Sequence, residues 1–420
     1  MTELPSKPRG YSPPKSGLER AVCRALFRFM LGSNRIQFEF GDTDPERFEQ
    51  HDSEFVVAPP TLWVAIKLML FPTLWVGESY VAGNWYLIKG NLSEFLNAVY
   101  GGAKPTFRSY FDFISHLRGF RYYVGQYLLN RYYTRKVKRH YEVDSKIYEM
   151  ILDDEMLYTC AFFSSETDTL PTAQQRKLTA IMERMSLPNE AAHILDIGCG
   201  WGGLARAVTK QYDDKYVCGL SISNGQIAWA KQKDATSLTD QQRSRIEYRL
   251  EDYLNHHKTE FYDAISVIGM IEHVGLGGYD SFFQKLNSFL KLGATAVIHT
   301  IVSPLPATPT NSWIDRHIFT GGYTPSISEL VEAAERNQFR VSGLYVYPPV
   351  HYRRTIEAWL SNFLKNGERI CAYLKAENYS DDKIERFVRT WIFYLSGVRT
   401  MFVEDSAQSH QVVQFAIKKL

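Results

Sequence analysis

Between His193 and Gly203 the chain reads His-Ile-Leu-Asp-Ile-Gly-Cys-Gly-Trp-Gly-Gly, a short apolar run that meets an aspartate and then four glycines. Such a run is a strand that stops in a tight loop, because glycine tolerates positive φ and lets backbone approach a ligand closely. Leu204 to Val208 then begin a helix whose N-terminal amides face the same space. From here onward short β-rich runs alternate with helical ones: His193 to Ile197, Tyr216 to Leu220, Ile246 to Leu250, Ala264 to Ile268 and Thr295 to Ile301. That alternation predicts an α/β domain with a mostly parallel sheet and helices on both faces. Arg340 to Tyr347 and Gln411 to Lys418 read as a final pair of strands, with helices over Ile356 to Leu374 and Lys383 to Val398 between them. The ligand is not named by spacing alone. Gly198, Gly200 and Gly203 fit Gly-x-Gly-x-x-Gly, which dinucleotide sites also use, whereas Asp196 just ahead suits methyltransferases that bind S-adenosylmethionine.

Ahead of residue 140 the pattern is different. Apolar residues recur at helical spacing, as in Val22, Ala25, Leu26, Phe29 and Met30 and in Leu92, Phe95, Leu96, Val99 and Tyr100, so this third reads as mainly helical. A chain of 420 residues is long for one domain, and the change in pattern divides it into 1–140 and 141–420. Charged residues make up 22% and the net charge is only +2, which argues against a general nucleic-acid partner. Basic residues concentrate between Lys104 and Tyr141, interleaved with aromatics such as Phe107, Tyr110, Tyr122 and Tyr132, a combination that suits a lipid surface. Solvated cations over core aromatics are the plainer alternative.

The five cysteines are scattered and lack Cys-x-x-Cys pairs, so neither a disulfide framework nor a metal site is expected, and a cytoplasmic setting fits. Met1 to Lys15 is polar and proline-bearing, unlike a secretory signal. The most apolar run, Leu62 to Val76, is broken by Lys67 and Pro72 and is shorter than the ~20 residues needed to span a bilayer.

Further motifs fall in order around the glycine loop. Tyr158-Thr159-Cys160-Ala161-Phe162-Phe163, Ser221-Ile222-Ser223-Asn224-Gly225-Gln226, Ile271-Glu272-His273-Val274-Gly275 and Ile298-His299-Thr300-Ile301 are joined by Trp313-Ile314-Asp315, Tyr323-Thr324-Pro325-Ser326 and His351-Tyr352-Arg353-Arg354-Thr355. Together with Gly77-Glu78-Ser79-Tyr80 and Gly83-Asn84-Trp85, they resemble the motifs of cyclopropane-fatty-acyl-phospholipid synthases over nearly the whole chain from about residue 35.

That resemblance implies a Rossmann-like methyltransferase domain with a seven-stranded sheet, preceded by a mainly helical N-terminal domain that handles lipid. S-adenosylmethionine would be held by Tyr158, Thr159, Asp196, Gly198, Gly200, Ser221, Gln226 and Asp252. A bound bicarbonate would act as proton acceptor, held by Cys160, Glu272, His299, Ile301 and Tyr352. The implied reaction transfers a methylene to the double bond of unsaturated acyl chains in membrane phospholipids, on the inner membrane surface. Methyl or methylene branching without ring closure, a furan precursor, or lipid binding without turnover are the alternatives. Members of the family are often dimeric, so a homodimer is compatible with it. Taken singly, Asp252 also suits a helix cap, Gln226 an exposed helix position, His299 a core histidine and Cys160 an inert thiol. Phe162, Phe163, Phe282, Phe283 and Tyr323 are candidates to face a cationic centre. Departures from the family pattern fall at Glu142 to Ile147 and Leu276 to Gly278, and bear on acyl entry and lid closure.

Overall fold

The computed structural model describes residues 7–9, 11–30, 36–39, 54–101, 144–306, 310–404 and 409–420. The basic stretch from Lys104 to Tyr141 and the division expected at residue 140 lie outside them. Two units are built from the chain. One comprises Met1–Arg118, Asn311–Ile318 and Leu360–Met401, and the other Gly119–Thr310, Phe319–Trp359 and Phe402–Leu420.

In the first unit the expected helices are present, including Gly17–Met30 and Leu92–Gly101. Three short strands join them, β1 (Ile36–Phe38), β2 (Phe55–Ala58) and β3 (Tyr86–Lys89), with β1 parallel and β3 antiparallel to β2. Reading this third as helical missed them because a run of three or four residues is too short for period-two alternation to show. The Gly77 to Trp85 motif is a packing device. A Cβ at Gly77 would lie 2.5 Å from the Trp313 ring, Ser79 Oγ accepts from Trp85 Nε1 at 3.0 Å, and the buried Arg389 guanidinium donates to the carbonyls of Tyr80 and Trp85.

The second unit is ordered by one sheet. Its strands are β4 (Ala192–Ile197), β5 (Lys215–Ser221), β6 (Ile246–Leu250), β7 (Tyr262–Ile268), β8 (Leu290–Val302), β9 (Phe339–Tyr347) and β10 (Gln411–Lys419), arranged β6-β5-β4-β7-β8-β10-β9. Pairing is parallel from β6 across to β8; β10 then runs antiparallel to both β8 and β9. This is the α/β sheet that the alternation predicts.

Period-two alternation supplies both faces with apolar side chains. Ile194, Val217, Ala264 and Val297 pack with Leu178, Ile181, Leu204 and Val208 of helices Leu170–Arg184 and Gly203–Gln211. Their neighbours Leu195, Cys218, Ile265 and Ile298 pack with Phe282, Leu286 and Leu330 from helices Tyr279–Phe289 and Ile327–Arg336. Side-chain caps start these helices: Thr169 accepts from Thr172 N, and Ser326 with Glu329 closes a capping box.

Candidate active site

The strand order reverses at β4, whose neighbours β5 and β7 lead in opposite directions across the sheet. Ligands of open α/β sheets bind beside such a reversal, at the carboxyl ends of the strands. A cavity of about 190 Å³ lies there, and Tyr158, Thr159, Asp196, Gly198, Gly200, Ser221, Gln226 and Asp252 all line it. The glycine loop is held against β5 by the amides of Gly198 and Cys199, both 2.9 Å from the Leu220 carbonyl. Gly198 and Gly200 adopt φ of 79° and 53°, left-handed values that favour glycine. A Cβ on Gly200 would meet no atom within 4 Å, so the loop leaves open space beside its backbone.

The polar side chains of the pocket are already organised. Ser266 Oγ donates to Asp196 Oδ1 at 2.7 Å, and burial raises the Asp196 carboxyl to about 6 despite that bond and the nearby Lys177 ammonium. Ser221 Oγ donates to Gln226 Oε1 at 3.0 Å. Gln226 is thus buried rather than exposed on its helix. Asp252 Oδ1 accepts from Leu254 N at 3.0 Å, capping a short turn while its residue lines the cavity. His273, which the sequence reading passed over although it adjoins Glu272, also lines the cavity, and burial lowers its ring to about 4, leaving it uncharged at neutral pH.

A second group of residues stands around the end of β8. Glu272, on the turn Ile271–His273 that follows β7, accepts from Ile301 N at 3.0 Å through Oε1. Its Oε2 is buried and without a hydrogen-bond partner, and burial raises its carboxyl above the ordinary range. His299 lies two residues before Ile301 on β8 and is 2% exposed. The Gln414 amide nitrogen lies 3.3 Å from its Nδ1, and burial holds the ring neutral.

Cys160 packs beside helix Val350–Lys365, which carries Tyr352, and Cys160, Glu272, His299, Ile301 and Tyr352 do not line the cavity. Thr355 Oγ1, one turn after Tyr352, accepts from Ala161 N at 3.0 Å, and burial pushes the Cys160 thiol up, so it stays protonated. Tyr352 packs 4.6 Å from the Phe402 ring and, like Tyr158, against Trp359. Phe162 spans the two groups, stacked on Tyr347 at 3.8 Å with its centroid 5.8 Å from that of His299.

Two aromatic candidates are corrected by the packing. Phe282 and Phe283 have no exposed surface and fill the core between sheet and helix rather than the cavity. Tyr323 is also in that core, with its hydroxyl donated to Glu329 at 2.6 Å, while Phe163 carries the Arg354 guanidinium 4.2 Å above its ring. Of the departures from the family pattern, Ser145 accepts from Trp201 Nε1 at 3.0 Å, so it abuts a pocket residue. Leu276–Gly278 forms the turn that starts helix Tyr279–Phe289.

An elongated cofactor with an adenine, a ribose and an amino-acid end suits this donor set: carboxylates at Asp196 and Asp252, hydroxyl and amide groups at Ser221 and Gln226, and an open glycine loop between them. A profile of the family described as mycolic acid cyclopropane synthetase matches residues 130–412. The cyclopropane-fatty-acyl-phospholipid synthase of Escherichia coli strain K12 is 30% identical over 345 residues, spanning 81% of this chain and 82% of its own length. Among solved structures, the cyclopropane synthase MmaA2 from Mycobacterium tuberculosis superposes with a TM-score of 0.59 at 26% identity, over 68% of this chain and 98% of that one. The mycolic acid cyclopropane synthase CmaA1, complexed with SAH and CTAB, gives 0.58 at 28% identity, over the same shares of the two chains.

Proposed function

The chain belongs to the mycolic acid cyclopropane synthetase family and is an S-adenosylmethionine-dependent methyltransferase; from that premise we propose that it adds a methylene across the double bond of unsaturated acyl chains in membrane phospholipids. S-adenosylmethionine would supply an electrophilic methyl group and bicarbonate a proton acceptor. An isolated alkene is a weak nucleophile, and carbon methylation leaves positive charge on the adjoining carbon. An aromatic face would stabilise such charge by roughly 0.5–2 kcal/mol; Phe162, whose ring lies beside that of His299, has one face already taken by Tyr347. Cys160 and His299 are buried, and a dry surrounding of that kind would protect the cationic carbon from hydration.

The observation that carries the reading is the Glu272 carboxyl group. One oxygen is pinned by the Ile301 amide, and the other is buried with no protein partner, an arrangement costly unless something else bonds to it. The hydroxyl of bicarbonate satisfies that oxygen, whereas a fully ionised anion would be repelled. The resemblance assigns the Ile301 backbone to the anion directly; here its amide instead fixes Glu272. His299 and Tyr352 would offer donors to the remaining oxygens of the anion, and Cys160 a backbone or thiol contact.

Docking on a lipid surface would bring the acyl chain to the site. Among the described residues no helix is long and apolar enough to cross a membrane, but Trp63 and Phe71 are 65% and 55% exposed, with the Lys67 ammonium over the Trp63 ring. Incubation with S-adenosylmethionine and vesicles of unsaturated phospholipid, followed by lipid mass analysis, tests the proposal. A gain of one methylene with loss of the double bond is expected. The same gain with unsaturation retained would establish branching instead, and no gain on any unsaturated lipid would refute turnover of this class.

A further inference from the structure

Helix Leu170–Arg184 turns two polar side chains inward, Gln174 and Lys177, one turn apart and both without exposed surface. Gln174 Nε2 donates to the carbonyls of Leu157 at 3.1 Å and Thr159 at 3.0 Å. Lys177 Nζ donates to Thr159 Oγ1 at 2.8 Å. Three bonds from one helix therefore grip residues 157–159, which form a wall of the cofactor pocket. The amide of Gln174 already satisfies the two carbonyls, so the segment's backbone needs no lysine. Burying an ammonium is expensive, by several kcal/mol before any attraction is counted. Burial duly lowers Lys177 to about 8, with Asp153, Cys160 and Asp196 opposing that fall.

The charge on the pocket wall gives this lysine a purpose. Among the described residues, the cavity is lined by Asp196, Glu251 and Asp252 but by no lysine or arginine, and burial keeps His273 neutral. The amino-acid end of S-adenosylmethionine is a zwitterion. Asp196 suits its ammonium; nothing on the wall carries a positive charge for its carboxylate. A threonine hydroxyl whose oxygen accepts from an ammonium is left with its proton to donate, and the ammonium strengthens that donor.

We propose that Lys177 is a positioning residue that recognises the cofactor's carboxylate through Thr159, orienting and polarising the threonine hydroxyl as a donor to that group. This rests on the pocket being the S-adenosylmethionine site. Gly269 cooperates: a Cβ there would lie 2.6 Å from Thr159 Cγ2, so only glycine lets the threonine sit as it does.

The test compares two ligands that differ only in the carboxylate, S-adenosylmethionine and its decarboxylated form, by calorimetry on the full chain. Lys177→Met should weaken S-adenosylmethionine on the order of tenfold and leave the decarboxylated ligand nearly unchanged. Thr159→Val should give the same selective loss, and the double variant no more than either single one. Thr159→Val carries the test alone should Lys177→Met lose its native circular dichroism. Equal losses for both ligands, or an unchanged ratio between them, would overturn the inference and leave Lys177 a packing residue. Failure of the unaltered protein to bind S-adenosylmethionine would instead overturn the reading of the pocket, and the inference with it.

Discussion

Replacing Glu272 by glutamine separates the bond its carboxyl group makes to the Ile301 amide from the bicarbonate-orienting role that the proposed function gives it. Oε1 accepts from the Ile301 amide at 3.0 Å, and a glutamine carbonyl can accept the same bond, so the end of β8 and the cofactor pocket should be undisturbed. Oε2 is the buried oxygen without a protein partner; in the variant an amide nitrogen takes its place. That nitrogen donates, so on the proposed mechanism the protonated oxygen of bicarbonate would turn away and its basic oxygen would no longer face the added methyl group. A hydrogen bond to a charged group is worth about 1.5–3 kcal/mol, which corresponds to roughly a tenfold to hundredfold loss in bicarbonate affinity. Turnover should fall further, because orientation is lost as well as binding. Stability should move the other way. Burial raises the Glu272 carboxyl, so ionising it costs native stability that is lost as pH rises through its folded value. The glutamine variant escapes that cost and should melt no lower than the parent above neutral pH. The assay is product formation on unsaturated vesicles in carbonate-depleted buffer with bicarbonate added back, alongside calorimetry with S-adenosylhomocysteine. Unchanged turnover and bicarbonate dependence would remove Glu272 from the mechanism. Joint loss of cofactor binding and melting temperature would make its role purely structural.

Asp196, raised by burial from 3.8 to about 6, contributes stability that is complete below its unfolded value and lost as pH rises to about 6, some 3 kcal/mol in all. Melts of the cofactor-free protein between pH 4 and 7 should therefore slope downward more steeply than those of Asp196→Asn, and parallel slopes would refute the shift. Arg206, with no exposed side-chain surface, pairs with Glu155 at 2.5 Å and Asp234 at 3.1 Å and holds the Trp201 carbonyl at 2.8 Å. Arg206→Met should cost about 3–5 kcal/mol in urea unfolding and weaken S-adenosylhomocysteine; an unaltered midpoint would contradict the pairing. At Gly269, φ is +63°, so Gly269→Ala should lose about 1–2 kcal/mol from the left-handed backbone and displace Thr159. Calorimetry should show weaker cofactor binding than that strain alone produces, and unaffected affinity would exonerate the contact.

What the sequence made legible, and what it hid, follows from how each residue signals its role. The inner parallel strands were readable because β4, β5, β7 and β8 alternate apolar side chains between two buried faces, as Ile194 and Leu195 or Val217 and Cys218 do, whereas the edge strand β6, Ile-Glu-Tyr-Arg-Leu, has no fully buried residue. The eight cofactor candidates, assigned through the family resemblance, all line one pocket; Asp196, Gly198, Gly200 and Ser221 sit at strand ends or in the glycine loop, where chain direction leaves little choice, whereas Tyr158, Thr159 and Gln226 carried no such local signal. Gln174 and Lys177 gave no such signal. In Leu-Pro-Thr-Ala-Gln-Gln-Arg-Lys they are polar residues of an amphipathic helix and look like its solvent face, yet both point inward while Gln175 and Arg176 between them do not. Phe282 and Phe283 misled in the opposite sense: adjacent aromatics after a site motif look like a cavity wall, but helix Tyr279–Phe289 turns both into the core. Periodicity registers which face of an element is apolar. It is blind to a buried polar residue whose partner, here the Thr159 hydroxyl, comes from a distant loop. Charges hidden behind the wall of a site are therefore what a sequence conceals best, and in this chain Lys177 supplies the positive potential that the pocket's own lining lacks.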